Sequence, residues 1–246
     1  LTRSLFNLKK DKKVFLKQDT HWTPEAMEEA AKIIANHIKS MDINIDKVNL
    51  NPKQKEGRKA YGDLVEKINI WDGAFNQESV IAKPIKGNTR DRNSEIILLG
   101  DSFTNIYSID QGLGWGNNAG LPEHIASNVC TPIDVISING GGATEVRKKL
   151  AQRRGSSEDM KNKKVVIWAI TCRDLFLSQE QCIDRNISWE NVSFDKRPLE
   201  KKPTNNKITI RAKLIEKPKI PDPNQTTYKD LLYGADYEII ETISGQ

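Results

Sequence analysis

The stretch Glu95-Ile96-Ile97-Leu98-Leu99-Gly100-Asp101-Ser102 constrains this chain more than any other. Four apolar residues run without a break and end at a glycine. Such a run predicts a short strand buried on both faces, as in a parallel sheet. Gly100 permits a sharp turn where a Cβ would clash. Ser102 then falls just past the carboxyl end of the strand, at a helix start. Open α/β sheets bind ligands at that edge, and a helix N-terminus turns free N–H groups toward a developing negative charge.

The same pattern recurs twice downstream. Residues 133–138 read as a second strand, followed by Asn139-Gly140-Gly141-Gly142-Ala143-Thr144 and a helical run to about Arg154. Residues 164–170 read as a third buried strand, ended by Thr171-Cys172-Arg173-Asp174. Three strand-loop units in succession predict right-handed crossovers and an α/β fold on a mostly parallel sheet, with all three loops on one sheet edge. The glycine loop lacks GxGxxG and the Walker lysine, so it is a weak signal for phosphate binding.

A serine hydroxyl needs a base to take its proton. The histidines are His21, His37 and His124. His21 lies in Asp19-Thr20-His21-Trp22, where the aspartate is placed to orient the ring and stabilise its imidazolium. Thr23-Pro24-Glu25 follows as a cap, a first-turn proline and a dipole-complementing acid, and Met27, Ala30, Ala31, Ile34 and Ile38 keep helical spacing. That helix would hold His21 in a fixed place. His37, on the same helix, and His124, at a helix start after a glycine-rich loop, read as structural. Asp19, His21 and Ser102 are therefore the candidate triad, in chain order Asp, His, Ser.

Gly100-Asp101-Ser102-Phe103 resembles the nucleophile block of the SGNH (GDSL-like) hydrolases. An Asp-Thr-His-Trp placed before the serine resembles the permuted branch of that superfamily, the AlgJ/AlgX-like alginate O-acetyltransferases, over about residues 13–178. The resemblance implies an SGNH-like, flavodoxin-like three-layer α/β sandwich with a mostly parallel central sheet. It also implies an acetyl-serine mechanism and oxyanion or substrate contacts from Gly141 or Gly142, Asn139, Trp22 and Arg173. Most of the superfamily carries Gly-x-Asn-Asp where this chain has Thr171-Cys172-Arg173-Asp174; the arginine is a departure that the AlgJ/AlgX branch shares. The implied partners are a polysaccharide acceptor and an acetyl donor delivered by a membrane-bound acyltransferase. The implied location is periplasmic or otherwise extracytoplasmic, and no cofactor is implied.

Composition sets outer bounds. Among 246 residues 37% are hydrophobic and 29% charged, which fits a soluble globular protein, and no apolar run has the length of a membrane span. No signal peptide is visible, and the opening Leu1 predicts that an N-terminal piece precedes it. The net charge of +5 includes clusters at 9–13, 161–164 and 196–202; these read chiefly as solvated surface, with polyanion attraction as the alternative and no nucleic-acid motif beside them. Cys130, Cys172 and Cys182 show neither CxxC nor zinc spacing. Cys172 and Cys182 are left open between a pair and free thiols.

Residues 1–189 are expected to form the catalytic domain, with 42–94 as an irregular insertion holding one short helix or hairpin. Residues 190–246 are expected to be a proline-rich linker and a partial β region, ending in a strand near Tyr237 whose partners lie beyond the chain. Two other functional readings stay in view. One is a silent polysaccharide-binding module using Trp22, Trp71 and Trp115 as platforms. The other is a metal site at Asp19 and His21, for which two ligands are too few.

Overall fold

The computed structural model describes residues 1–45, 47–52, 55–68, 75–109, 113, 115–171, 191–197, 209–216 and 236–244. In chain order the elements are α1 (Thr2–Leu8), α2 (Pro24–Ser40), β1 (Asn51–Pro52), β2 (Glu56–Ala60), α3 (Asp63–Ile68), β3 (Glu78–Ala82), β4 (Ile85–Lys86), β5 (Ile96–Gly100), α4 (Ser102–Asn105), α5 (Leu121–Val129), β6 (Asp134–Ser137), α6 (Gly142–Gln152), α7 (Ser156–Lys161), β7 (Val165–Trp168), β8 (Thr209–Glu216) and β9 (Asp236–Ser244). They fall into two units, Leu1–Arg197 and Pro198–Gln246.

The first unit is built on a parallel sheet in the order β6-β5-β7. β5 is central and every one of its residues is buried, as its unbroken apolar run predicts. Register places Gly100 beside Ser137 and Leu99 beside Trp168. The chain therefore leaves all three strands at the same edge, as expected of this α/β class. The two faces of β5 bury different sets. Ile96 and Leu98 join the large core made by α2 and α5, while Ile97 and Leu99 meet Ile136 of β6 and Val146 and Leu150 of α6. The result is helix, sheet, helix.

α2 begins as its sequence predicts. The Thr23 hydroxyl accepts the Ala26 N–H at 3.3 Å, with Pro24 in the first turn. Ala26, Met27, Ala30, Ala31, Ala35 and Ile38 are buried, and this stripe of small side chains lets α2 lie close along α5. α4 has only four residues. Asp101 caps it, its carboxylate accepting the Phe103 N–H at 2.9 Å.

Residues 42–94 contain the antiparallel pair of β2 and β3, the two-residue pair of β1 and β4, and α3. This region is tied to the loop that carries His21. The Glu78 carboxylate accepts the N–H groups of Lys17 and Gln18 at 2.9–3.0 Å, and Asp63 Oδ1 accepts the Thr20 N–H at 2.8 Å. Gly62 is required where it stands, because a Cβ there would meet the Gln18 carbonyl oxygen at 2.0 Å and the Asp19 Cβ at 2.7 Å.

The second unit corrects one expectation. The strand at Tyr237 has its partner within the chain: β9 pairs antiparallel with β8, Tyr237 opposite Leu214. Both strands are long enough to pair with each other, and the spacing between them hid the match. Trp71, Cys172, Arg173 and Cys182 lie outside the described residues.

Candidate active site

Two segments 81 residues apart in sequence meet at the carboxyl edge of β5. His21 Nε2 lies 2.7 Å from Ser102 Oγ, and His21 Nδ1 lies 2.5 Å from Asp19 Oδ1. All three residues are buried. The loop of His21 is held from both sides. Leu16 N–H donates to the His21 carbonyl and Thr23 N–H to the Val14 carbonyl. The Tyr107 hydroxyl donates to the Trp22 carbonyl at 2.7 Å. The His21 ring packs on Phe103, centroids 4.8 Å apart, so the imidazole is fixed by the residue that follows the serine.

Asp19 is saturated with donors. Oδ1 accepts the His21 backbone N–H at 3.0 Å as well as facing the ring. Oδ2 accepts the Trp115 indole N–H at 2.9 Å and the Asp63 backbone N–H at 3.1 Å. Burial by itself would raise this carboxyl, but the hydrogen bonds from His21 and Trp115 outweigh it and hold Asp19 at about 2. Asp63 is also held below its ordinary value. Its burial opposes that shift, and Lys67 and Thr20 produce it.

Ser102 opens α4 directly after Gly100-Asp101. Gly100 has no room for a side chain, since a Cβ would sit 1.9 Å from Thr104 Oγ1. The turn that presents Ser102 is thus closed by its own helix. Beside it, Asn105 Nδ2 donates to Asn139 Oδ1 at 2.8 Å, and the Ser137 hydroxyl donates to Asn105 Oδ1 at 2.6 Å. These bonds join the Ser102 turn to the loop after β6, which places Asn139 at the site edge. In that loop the Gly141 N–H donates to the Ile138 carbonyl at 2.9 Å. Of the two glycines expected to offer an N–H to an oxyanion, Gly141 is therefore spent on a turn. Gly142, the first residue of α6, stands where helical N–H groups have no acceptor within their own helix.

Trp22 and Trp115 do not serve as open platforms. Trp22 is buried, with its indole N–H on the Phe103 carbonyl at 3.1 Å and its ring edge-on to Phe103. Trp115 is fully buried against Asp19. Reading Trp22 as a sugar contact is corrected accordingly: the ring is used up as the wall behind the histidine. The ligand atoms of Asp19, His21 and Asp63 lie within 4.8 Å of one another. However, each carboxylate oxygen of this group already accepts a donor from the chain, Asp63 Oδ2 taking the Thr20 hydroxyl and Lys67. Such a set suits a hydrogen-bond frame better than a cation. His37 is exposed, and His124 is buried on α5, where burial lowers its affinity for a proton.

Residues that the sequence left in other roles complete the site. Asp63 and Trp115 support the acid, Tyr107 supports the histidine loop, and Asn105 links the serine turn to Asn139. Of these, the sequence singled out Trp115 alone, and as a sugar platform rather than as a donor to Asp19.

A parallel α/β sheet with a serine at the carboxyl end of its central strand, touching a histidine backed by an aspartate, defines an SGNH-type α/β domain. The family model described as "SGNH hydrolase-like domain, acetyltransferase AlgX" matches residues 1–171, and the chain belongs to that family. Among solved structures it is similar to the O-acetyltransferase domain of Pseudomonas putida AlgJ, with 20% identity and a TM-score of 0.50 over 67% of this chain and 55% of that one. It is also similar to Pseudomonas aeruginosa AlgX, with 21% identity and a TM-score of 0.48 over 64% of this chain and 36% of that one. The chain thus spans less than two thirds of either. No curated protein matches it.

Proposed function

We propose that this chain transfers acetyl groups to hydroxyls of an acidic exopolysaccharide through an acetyl-serine. The observation that carries the reading is the unbroken relay from Asp19 through His21 to Ser102 Oγ, at 2.5 and 2.7 Å. Ser102 Oγ attacks the carbonyl carbon of a donor acetyl ester while His21 Nε2 takes its proton. Asp19 keeps Nδ1–H oriented and stabilises the imidazolium. The tetrahedral oxyanion is met by N–H groups at the start of α4 and at Gly142, with Asn139 and Arg173 as side-chain donors. Collapse breaks the bond to the leaving oxygen, which takes the proton from His21. The acceptor hydroxyl then gives its proton to His21 and attacks the acetyl-serine, releasing the new ester and restoring Ser102.

A membrane-bound acyltransferase would supply the donor, on the extracytoplasmic side. Water in place of the sugar hydroxyl gives an esterase with the same residues; exclusion of water separates the two. The binding-module reading is disfavoured by the burial of Trp22 and Trp115. Incubation with p-nitrophenyl acetate, followed by peptide mass analysis, tests the proposal. The parent should release nitrophenol and carry an acetyl group on the Ser102 peptide, and Ser102→Ala and His21→Ala should lose both. Acetyl recovered on an oligouronate rather than as free acetate marks transfer. A well-folded parent showing neither turnover nor adduct overturns the catalytic reading.

A further inference from the structure

The chain's positive charge is concentrated in one place. Of its 38 Lys and Arg and 33 Asp and Glu, residues 1–17 hold six and one, namely Arg3, Lys9, Lys10, Lys12, Lys13 and Lys17 against Asp11. The remaining 32 and 32 cancel, so this segment accounts for the entire net charge of +5. All six cations are exposed. No ion pair among the described residues neutralises any of them.

The same segment leaves aromatic surface in water. Leu5 and Leu8 turn α1 onto the core, which puts Phe6 outward at 68% exposure, and Phe15 is 56% exposed. Between them runs a groove of about 670 Å³ lined by Leu5, Phe6, Val14 and Phe15 together with Lys9, Lys12 and Lys13. An apolar patch ringed by one sign of charge marks an interaction surface.

We infer that this face docks on a lipid bilayer bearing anionic headgroups. Lysines attract such a surface, and phenyl rings enter the boundary between headgroup and acyl chain. A uronate polymer would answer the lysines. The groove, however, is lined by no carboxylate or amide side chain to orient sugar hydroxyls, and its apolar lining suits hydrocarbon. The patch also adjoins the candidate site in the chain: Val14 and Leu16, flanking Phe15, are hydrogen-bonded to Thr23 and His21. Docking there holds the serine near a membrane. The inference rests on charge and exposure and stands whether or not the acetyl-transfer reading does.

Co-sedimentation with vesicles tests it. The whole chain should pellet with phosphatidylcholine vesicles containing roughly a third phosphatidylglycerol, and at least about tenfold less with phosphatidylcholine alone. Raised salt should release it. Lys9→Glu/Lys12→Glu/Lys13→Glu should abolish pelleting, and Phe6→Ser should reduce it at least about fivefold, both with the parent's thermal midpoint, since these side chains point into solvent. Absence of pelleting by the parent, equal pelleting by Phe6→Ser, or retention on immobilised polyuronate without vesicle binding would each overturn the inference.

Discussion

Asp19 accepts hydrogen bonds from four N–H groups, and that sets how it responds to acid. Its carboxyl sits at about 2 in the folded chain against an ordinary 3.8. A carboxyl depressed by folding adds stability that is complete above its unfolded value and disappears as pH falls through the folded one. The contribution is on the order of 2 kcal/mol. Acid titration followed by circular dichroism should therefore show the parent more stable than Asp19→Asn above about pH 4, with the gap closing toward pH 2. Trp115 belongs to the same frame. Trp115→Phe keeps the ring and removes the donor to Oδ2, so it should lower kcat on an acetyl ester by roughly 10 to 100-fold with little change in KM, because the histidine loses its fixed partner without losing contact with substrate. A fall in KM-dependent binding alone would show that Trp115 only packs.

At the scale of elements, β5 and the turn after it do most to place the serine. Leu98 is fully buried in the larger core, and Leu98→Ala should cost about 2–5 kcal/mol in a denaturant titration. Gly62 is a sharper test of the 42–94 region. A Cβ there collides with the Gln18 backbone and the Asp19 side chain, so Gly62→Ala should push the turn away, break the Asp63 N–H bond to Asp19, and reduce esterase turnover roughly tenfold or more, with a smaller loss of stability than Leu98→Ala. Elements with a strong period were legible in the sequence. The apolar run of β5 and the capped, regularly spaced α2 stand where reading alone puts them, because burial imposes its period on the residues that make it. The pairing of β8 with β9 was missed because contacts between strands separated by a long segment leave no local period.

For the whole molecule, the sheet edge and the basic face describe one orientation in the chain: the segment that carries His21 is hydrogen-bonded to the segment that carries Phe15. No helix among the described residues is long and apolar enough to cross a membrane. Attachment through the Phe6 face, held by exposed lysines and phenyl rings, would be sensitive to salt. The sequence by itself determined the α/β class, the Gly-Asp-Ser turn and the candidate Asp-His-Ser set, because buried runs, glycine turns and helix caps are local consequences of chain geometry. Only the tertiary structure decided that His21 reaches Ser102, that Trp115 and Asp63 restrain Asp19, that Gly141 is spent on a turn, and that Trp22 faces inward. A hydrogen bond across 81 or 96 residues needs one atom in the right place and imposes no pattern on the residues between, so it becomes visible only once the chain has folded.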